Sequence, residues 1–172
     1  MLIQDFKSKL FSGGARPNHF KCIITLPGGG PIQDIEFLAK ASSLPASSVL
    51  DISTYYRGRE VHFAGERTFQ PWIVQVINTD DFFVRNALEG WHNSIQNYIA
   101  TNGFKAPTLY QTDMRVIQLD RNDAPLKTYK FINAYPTDIG DIQLSFEIPN
   151  QIEEFSVQFV YDYFEPFAPP EG

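Results

Sequence analysis

The sequence predicts a mainly β protein, an antiparallel β-sandwich or open barrel with one packed α-helix and one protruding hairpin. Fifteen Phe and eight Tyr stand against two Met in 172 residues, and aromatic side chains suit the half-buried face of a pleated sheet. Several segments alternate apolar and polar residues, which is the period of a strand. A single segment in the middle of the chain repeats its apolar residues at helical spacing.

The bulk composition narrows the function classes. A length of 172 residues predicts a single domain over residues 1–172, and 43% hydrophobic residues can fill its core. The net charge of −6 argues against tight nucleic-acid binding, because phosphate affinity comes largely from Lys and Arg. The sequence contains neither a secretory signal nor an apolar run of the roughly 18–20 residues that cross a membrane. We therefore expect synthesis in a reducing cytoplasm and no membrane partner.

The N-terminal part predicts an arm followed by a hairpin. Residues 1–18 form the arm, as a short helix or as a segment that docks elsewhere. Residues 20–26 alternate like a strand, and the PGGGP stretch at 27–31 predicts a turn. Residues 32–41 are then expected to pair back as the second strand.

Residues 49–63 predict a long hairpin that leaves the body of the domain. Its two strands would join around Arg57–Gly58, and their apolar and polar residues are mixed without a clear alternation. Glu66 and Arg67 then lead into a strong strand. In that strand Trp72, Val74 and Val76 share one face.

The helix is predicted at residues 82–100. Asn102–Gly103 would stop it, and its polar side would remain free for contacts outside the domain. Its apolar residues recur at spacings of three and four: Val84, Leu88, Trp91, Ile95 and Ile99.

The C-terminal part predicts strands again. Strands at 113–120 and 126–135 flank a turn, and a second turn at 136–141 precedes a strand at 142–148. Residues 155–163 predict one further strand with Tyr163 on its apolar face. The proline-rich stretch at 165–172 predicts an extended tail.

No catalytic, cofactor or metal site emerges from the residues. His19, His62 and His92 are scattered, whereas zinc ligands are closely spaced. Glu66 and Arg67 are adjacent opposite charges, which more often form local or intersubunit ion pairs than a catalytic pair. A monomeric β-barrel that binds a small ligand, or a hydrolase, stays open as an alternative. Such a protein would need an apolar pocket with convergent polar groups.

Four stretches in order resemble the tail tube protein family of contractile-tailed, T-even-like bacteriophages. Together they cover most of the chain, although the glycines at 28–30 and the tail after Glu165 depart from the family pattern. The stretches are ARPNHF at 15–20, ASSLPAS at 41–47, AGERTF at 64–69 with Trp72, Val74, Val76 and Asn78, and residues 135–165 from YPTDIG to DYFE.

The resemblance implies a structural protein and no enzyme. Hexameric rings would stack into the inner tube of a virion tail, assembled in the host cytoplasm, and the strands of each ring would join into one barrel. If four strands per subunit line the bore, it is about 38 Å wide, which admits a DNA duplex about 20 Å across. The acidic net charge would let the genome pass without specific binding.

The resemblance also implies the tail partners, namely sheath, baseplate, tape-measure and tail-terminator proteins. The tube of a contractile injection device, of the bacteriocin or type VI secretion type, remains an alternative because the physics of the tube is shared. We expect the hairpin to reach the adjacent ring. The predicted contact residues are Tyr55, Tyr56, Arg57, Gly58, Arg59 and Glu60 at its tip, with Glu66 and Arg67 near a subunit boundary.

Overall fold

A computed structural model describes residues 3–10, 14–30, 32, 35–100, 102–147 and 151–167. It confirms the mainly β, antiparallel class with a protruding hairpin. None of the helices in these ranges is long and apolar enough to span a membrane. The elements are α1 (Ile3–Lys9), β1 (Phe20–Ile23), α2 (Ile35–Leu38), β2 (Ala39–Ser42), β3 (Ser47–Tyr56), β4 (Arg59–Phe69), β5 (Trp72–Ile77), α3 (Phe83–Ile95), a 3₁₀ turn (Pro107–Leu109), β6 (Thr112–Leu119), β7 (Pro125–Ile139), β8 (Glu154–Val160) and β9 (Tyr163–Phe167).

Seven strands form one sheet in the order β1-β6-β7-β8-β5-β2, with β9 also paired to β7. Strand β7 bends and pairs with different strands along its length. Its first part pairs with β6 and β9, and its last part pairs with β8. Asn133 lies at the change of partner with φ 56°, and its side-chain amide donates to the Asp162 carboxylate over 2.6 Å.

The core is built around Trp72. Its ring stacks on Phe131 at 4.5 Å between centroids and also meets Phe159. The indole N–H donates to Ser42 Oγ over 2.9 Å, so the buried polar atom is satisfied. Helix α3 closes the core with Val84, Leu88 and Trp91, as its apolar spacing predicts.

Helix α3 is shorter than the 82–100 range that the periodicity predicts. It begins after Phe82, which has φ 54°, and ends at Ile95. The chain then folds back, because Asn97 N–H donates to Asn102 O and Phe104 N–H to Ser94 O. A Cβ on Gly103 would lie 2.0 Å from the Ile95 carbonyl oxygen. This close approach requires glycine, and it leaves Ile99 outside the helix.

The prediction of a strand at 32–41 that pairs with the first strand is wrong beyond its start, where Ile32 N–H donates to Ile24 O over 2.8 Å. The turn forms, with Gly29 N–H donating to Leu26 O over 3.2 Å. The chain then makes the single helical turn α2, and β2 pairs with β5 instead. The reason lies in the spacing of the buried residues, since Ile32, Ile35 and Ala39 recur at three and four positions.

The predicted strand at 142–148 is absent over 141–147, and residue 148 lies outside the described residues. The predicted turn at 136–141 is strand as far as Ile139. Among the described residues, no strand pairs with the segment after Gly140, so its alternation finds no ladder to join.

The single strand predicted at 155–163 is two strands, because the chain must follow the bend in β7. Residues 161–162 break it, and Tyr163 is 43% exposed instead of lying on the buried face. The tail predicted at 165–172 is β9 as far as Phe167, and residues 168–172 lie outside the described residues. The N-terminal arm includes α1, which buries no residue.

Candidate assembly interface

The β3–β4 hairpin is a two-stranded sheet of its own. Arg57 and Gly58 form its turn with φ 51° and 80°, and positive φ at both central residues is what a tight type I′ hairpin turn requires. At its base, Gln70 N–H donates to Ala46 O over 3.1 Å, and the ring of Phe69 packs on Phe164. Within the described ranges, the hairpin is therefore anchored at its base.

One face of the hairpin is apolar and uncovered. Ile52 pairs with Phe63 across the strands, and both side chains are 57% exposed. Val61 pairs with Thr54 on the same face. Every residue of β3 is exposed. A two-stranded hairpin is marginally stable in water unless a further layer covers it.

The opposite face of the hairpin is polar. Its Asp51 carboxylate lies 2.7 Å from His62 Nδ1, and Tyr55 faces Glu60 in the register. The two faces therefore differ in chemistry, which gives the hairpin one side suited to burial and one suited to water.

Gly65 explains the glycine in the AGERTF stretch. A bulge interrupts the register between Val49 and Asp51. A Cβ on Gly65 would come within 2.9 Å of Leu50 O and 3.2 Å of Ile52 Cγ1. Glycine therefore lets the two strands approach at the bulge.

The structure brings six of the eight predicted contact residues together at the tip. Tyr55 and Tyr56 are 73% and 64% exposed, and the guanidinium of Arg57 lies 5.4 Å from the Tyr56 ring centroid. Gly58, Arg59 and Glu60 complete the tip. Within the described part of the chain, Arg59 and Glu60 form no ion pair.

Glu66 and Arg67 lie apart from the tip. Arg67 pairs with Val49 near the base of the hairpin, which is roughly 26 Å along β4 from Arg59 at ~3.3 Å per residue. Both side chains are exposed. Among the described residues they form no ion pair with each other, so their charges are available to another molecule.

A second exposed apolar surface, which the sequence analysis interpreted as part of a strand, is the 141–147 segment. Arg85 Nη1 donates to Gly140 O over 3.0 Å and fixes its start. Ile142 packs against the core, whereas Leu144 is 80% exposed and Phe146 is fully exposed. The alternation that predicted a strand was the available signal that these residues need a covered face.

The described residues show few features of a catalytic site. They contain no cluster of three or more metal-ligating side chains. The surface cavity of about 510 Å³ between Arg16, His19 and Asp120 is lined by a turn. The Asp120 carboxylate accepts the N–H groups of Ala124 and Asn122 in that turn, which lower its pKa. Burial raises the pKa of the Cys22 thiol to about 11, so this thiol is no nucleophile at neutral pH.

Comparison with known proteins gives a consistent answer. The sequence profile of a family described as phage tail tube protein matches residues 15–166. The tail tube protein gp19 of Enterobacteria phage T4 is 31% identical over 169 residues, which cover 96% of this chain and 100% of that protein. The tail tube protein of Serratia phage KSP90 is 24% identical over 165 residues, covering 92% of this chain and 93% of that protein.

Solved structures share the fold. A chain of the sheath/tube terminator of an extracellular contractile injection system, PVC, matches with a TM-score of 0.68 at 15% identity, covering 90% of this chain and 97% of that one. A chain of the anti-feeding prophage baseplate matches with a TM-score of 0.66 at 10% identity, covering 90% and 96%.

Proposed function

This chain belongs to the phage tail tube protein family, and from that premise we propose that its copies close into hexameric rings that stack through the β3–β4 hairpin. It is a structural component of the virion tail and not an enzyme. The proposal concerns how one folded subunit becomes a tube, and which of its surfaces make the contacts.

The uncovered hairpin is the observation that carries the proposal. Burying a fully exposed Ile or Phe side chain contributes roughly 1.5–3 kcal/mol. Ile52 and Phe63 lie side by side with 57% of each still exposed, so covering them would contribute part of that amount. In an isolated subunit these side chains remain exposed to water, so this stabilisation is absent. A copy in the adjacent ring that covers the same face would recover it and would order the hairpin at the same time.

Ring closure is supported by the open edges of the sheet. In the described part of the chain, β1, β2 and β9 each pair along one edge only. Unpaired edges expose N–H and C=O groups that favour pairing with another chain. Pairing edge to edge around a ring would satisfy them and would produce a continuous barrel.

DNA passage follows from the size and charge of that barrel. A bore of about 38 Å holds the duplex with room for water and ions. The subunit carries net charge −6, and like charges on the wall and the phosphates repel within roughly 8 Å at physiological salt. The genome would therefore slide through the tube without adhering to it.

Contacts with a tail sheath, a baseplate, a tape-measure protein and a tail terminator are part of the same proposal. Chains of this fold occur in a sheath/tube terminator and in a baseplate. Helix α3 supplies a candidate sheath surface, because it buries Val84, Leu88 and Trp91, while Asn86 is exposed and Glu89 and Asn93 are partly exposed on its polar side.

The tube of a contractile injection device is the second candidate. The fold is shared with the PVC sheath-tube complex, with a TM-score of 0.57. Neighbouring capsid and terminase genes would support the phage tail, whereas neighbouring toxin genes would support the device.

Deleting residues 55–60 tests the hairpin's role. We expect folded subunits with normal circular dichroism that form no tubes in negative-stain micrographs. Tubes of normal length from the deleted chain would contradict the proposal. Replacing the turn residues Asn122–Asp123 by Gly-Gly alters another exposed turn and is the matched control, which should leave tube formation intact.

A further inference from the structure

The two exposed apolar surfaces leave the β2–β5–β8 part of the sheet at opposite ends. Strand β5 runs from Trp72, which pairs with Phe159, to Ile77, which pairs with Glu154. The hairpin base at Ala46 and Gln70 directly precedes Trp72 in the chain and is bonded there. The 141–147 segment begins at the other end, since Gly140 N–H donates to Ser156 O over 2.7 Å. The body of the sheet therefore separates the hairpin from the segment.

Charge distinguishes these two ends. The hairpin tip carries Arg57 and Arg59 with a single acidic residue, Glu60. The segment carries Asp141 and Glu147. Lys40 and Arg85 lie beside the segment, but they form ion pairs with Glu154 and Glu89. The segment's own charges are therefore both negative. The two ends are complementary in sign as well as similar in apolar character.

We propose that the 141–147 segment of one copy is the receptor for the β3–β4 hairpin of a second copy in the next ring. Leu144 and Phe146 would cover the Ile52–Phe63 face, and the arginines of the tip would lie near the segment's carboxylates. This inference rests on the proposed stacking role of the hairpin and adds the surface that the hairpin meets.

The arrangement explains why the polymer extends in one direction. A donor surface at one end and its complement at the other form a heterologous contact, which propagates without limit along an axis. The alternation places Leu144 and Phe146 two residues apart, which suits both side chains to one apolar face of the arriving hairpin. The segment thus has a use for its alternation that its own chain does not provide.

Cross-linking tests the contact directly. The variant Ile52→Cys with Leu144→Cys carries one thiol on each surface, and native Cys22 is fully buried. Treating assembled tubes with a short bis-maleimide should give a ladder that runs past six chains, because each copy links to the next ring. Ile52→Cys with Ile99→Cys is the control, since Ile99 is 95% exposed but lies after the end of α3 and not in the 141–147 segment. A control ladder as long as the test ladder, or no ladder from the test pair in intact tubes, would overturn the inference.

Substitution separates this inference from the proposed function. Leu144→Ser with Phe146→Ser removes apolar side chains that are largely or fully exposed in the subunit, so the chain should fold normally and yield at least tenfold fewer tubes. Ile99→Ser should assemble like wild type. If the 55–60 deletion abolishes tubes while the double serine variant forms them normally, the receptor is wrong and the hairpin's role survives. If the deletion itself leaves tubes intact, both are wrong.

Discussion

Strands β4 and β5 are separated by two residues, Gln70 and Pro71, yet the burial of their apolar side chains is opposite. Alternate residues of β5, beginning with Trp72, are buried at 0–1% exposure. Strand β4 carries comparable apolar residues, but Phe63 is 57% exposed. This difference shows that the apolar face of a strand can be covered by its own chain or left open for another chain to cover. In this chain the point of division lies at the short link between the two strands.

The largest loss of unfolding free energy is expected in β5, whose apolar face is covered by its own chain. Trp72→Ala removes the ring that stacks on Phe131 and should lower the free energy of unfolding by about 3–5 kcal/mol. Urea denaturation of the dispersed subunit measures this loss. Ile73→Ala, at a position 44% exposed on the same strand, should cost much less. Equal losses would remove the distinction between the two faces of β5.

The exposed strand pair should show the reverse pattern. Ile52→Ser with Phe63→Ser should change the unfolding free energy of the subunit by less than about 1 kcal/mol, because surface substitutions cost little. The same variant should fail to form tubes in negative-stain micrographs. Ser53→Ala, on the polar face of the hairpin, serves as the control. A large loss of subunit stability would show that the hairpin belongs to the core.

The pH dependence of subunit stability provides a test of the burial of Cys22. Its folded pKa is raised from 9.0 to about 11 by burial, so the unfolded thiol ionises first as pH rises. The stability linked to this group is about 2.7 kcal/mol at 1.36 kcal/mol per pKa unit. It is present below pH 9 and is lost as the pH rises from 9 through 11. Wild type should lose that much more than Cys22→Ala over this range in urea titrations. Parallel pH profiles would contradict the burial of the thiol.

The smallest effect should come from the charges at the hairpin tip. Arg57→Glu with Arg59→Glu reverses two exposed charges, and exposed ion pairs contribute about 0–1 kcal/mol each. We expect shorter tubes at low salt and near-normal tubes at high salt, where screening removes the repulsion. Arg121→Glu, on the 121–124 turn, is the control in the same length measurements. Salt-independent shortening would point to packing instead of charge.

The sequence predicted the parts of the fold that depend on local pattern. The alternation in β5, β6 and the first part of β7, the helical spacing of α3 and the turn at Arg57–Gly58 all have direct counterparts. The pattern did not predict the partner of β2, because one helical turn at α2 reroutes the chain. It also did not predict the end of α3, which depends on the approach of Gly103 to Ile95.

The predicted contact residues illustrate the same limit. Mixed polarity and the turn chemistry identified the tip from Tyr55 to Glu60, since a loop without a buried face needs no alternation. The same reasoning read residues 142–148 as a strand, because alternation reports that a face needs cover without saying which chain supplies it. Leu144 and Phe146 were therefore placed on one face of a predicted strand.

The sequence alone determined the antiparallel β class, the family and the presence of a hairpin, because these depend on periodicity, turn residues and motifs that are local in the chain. The tertiary structure decided which apolar faces are buried in the subunit and which remain open. Burial depends on what lies opposite a strand in space, and that opposing surface comes from residues far away in the chain or absent from it.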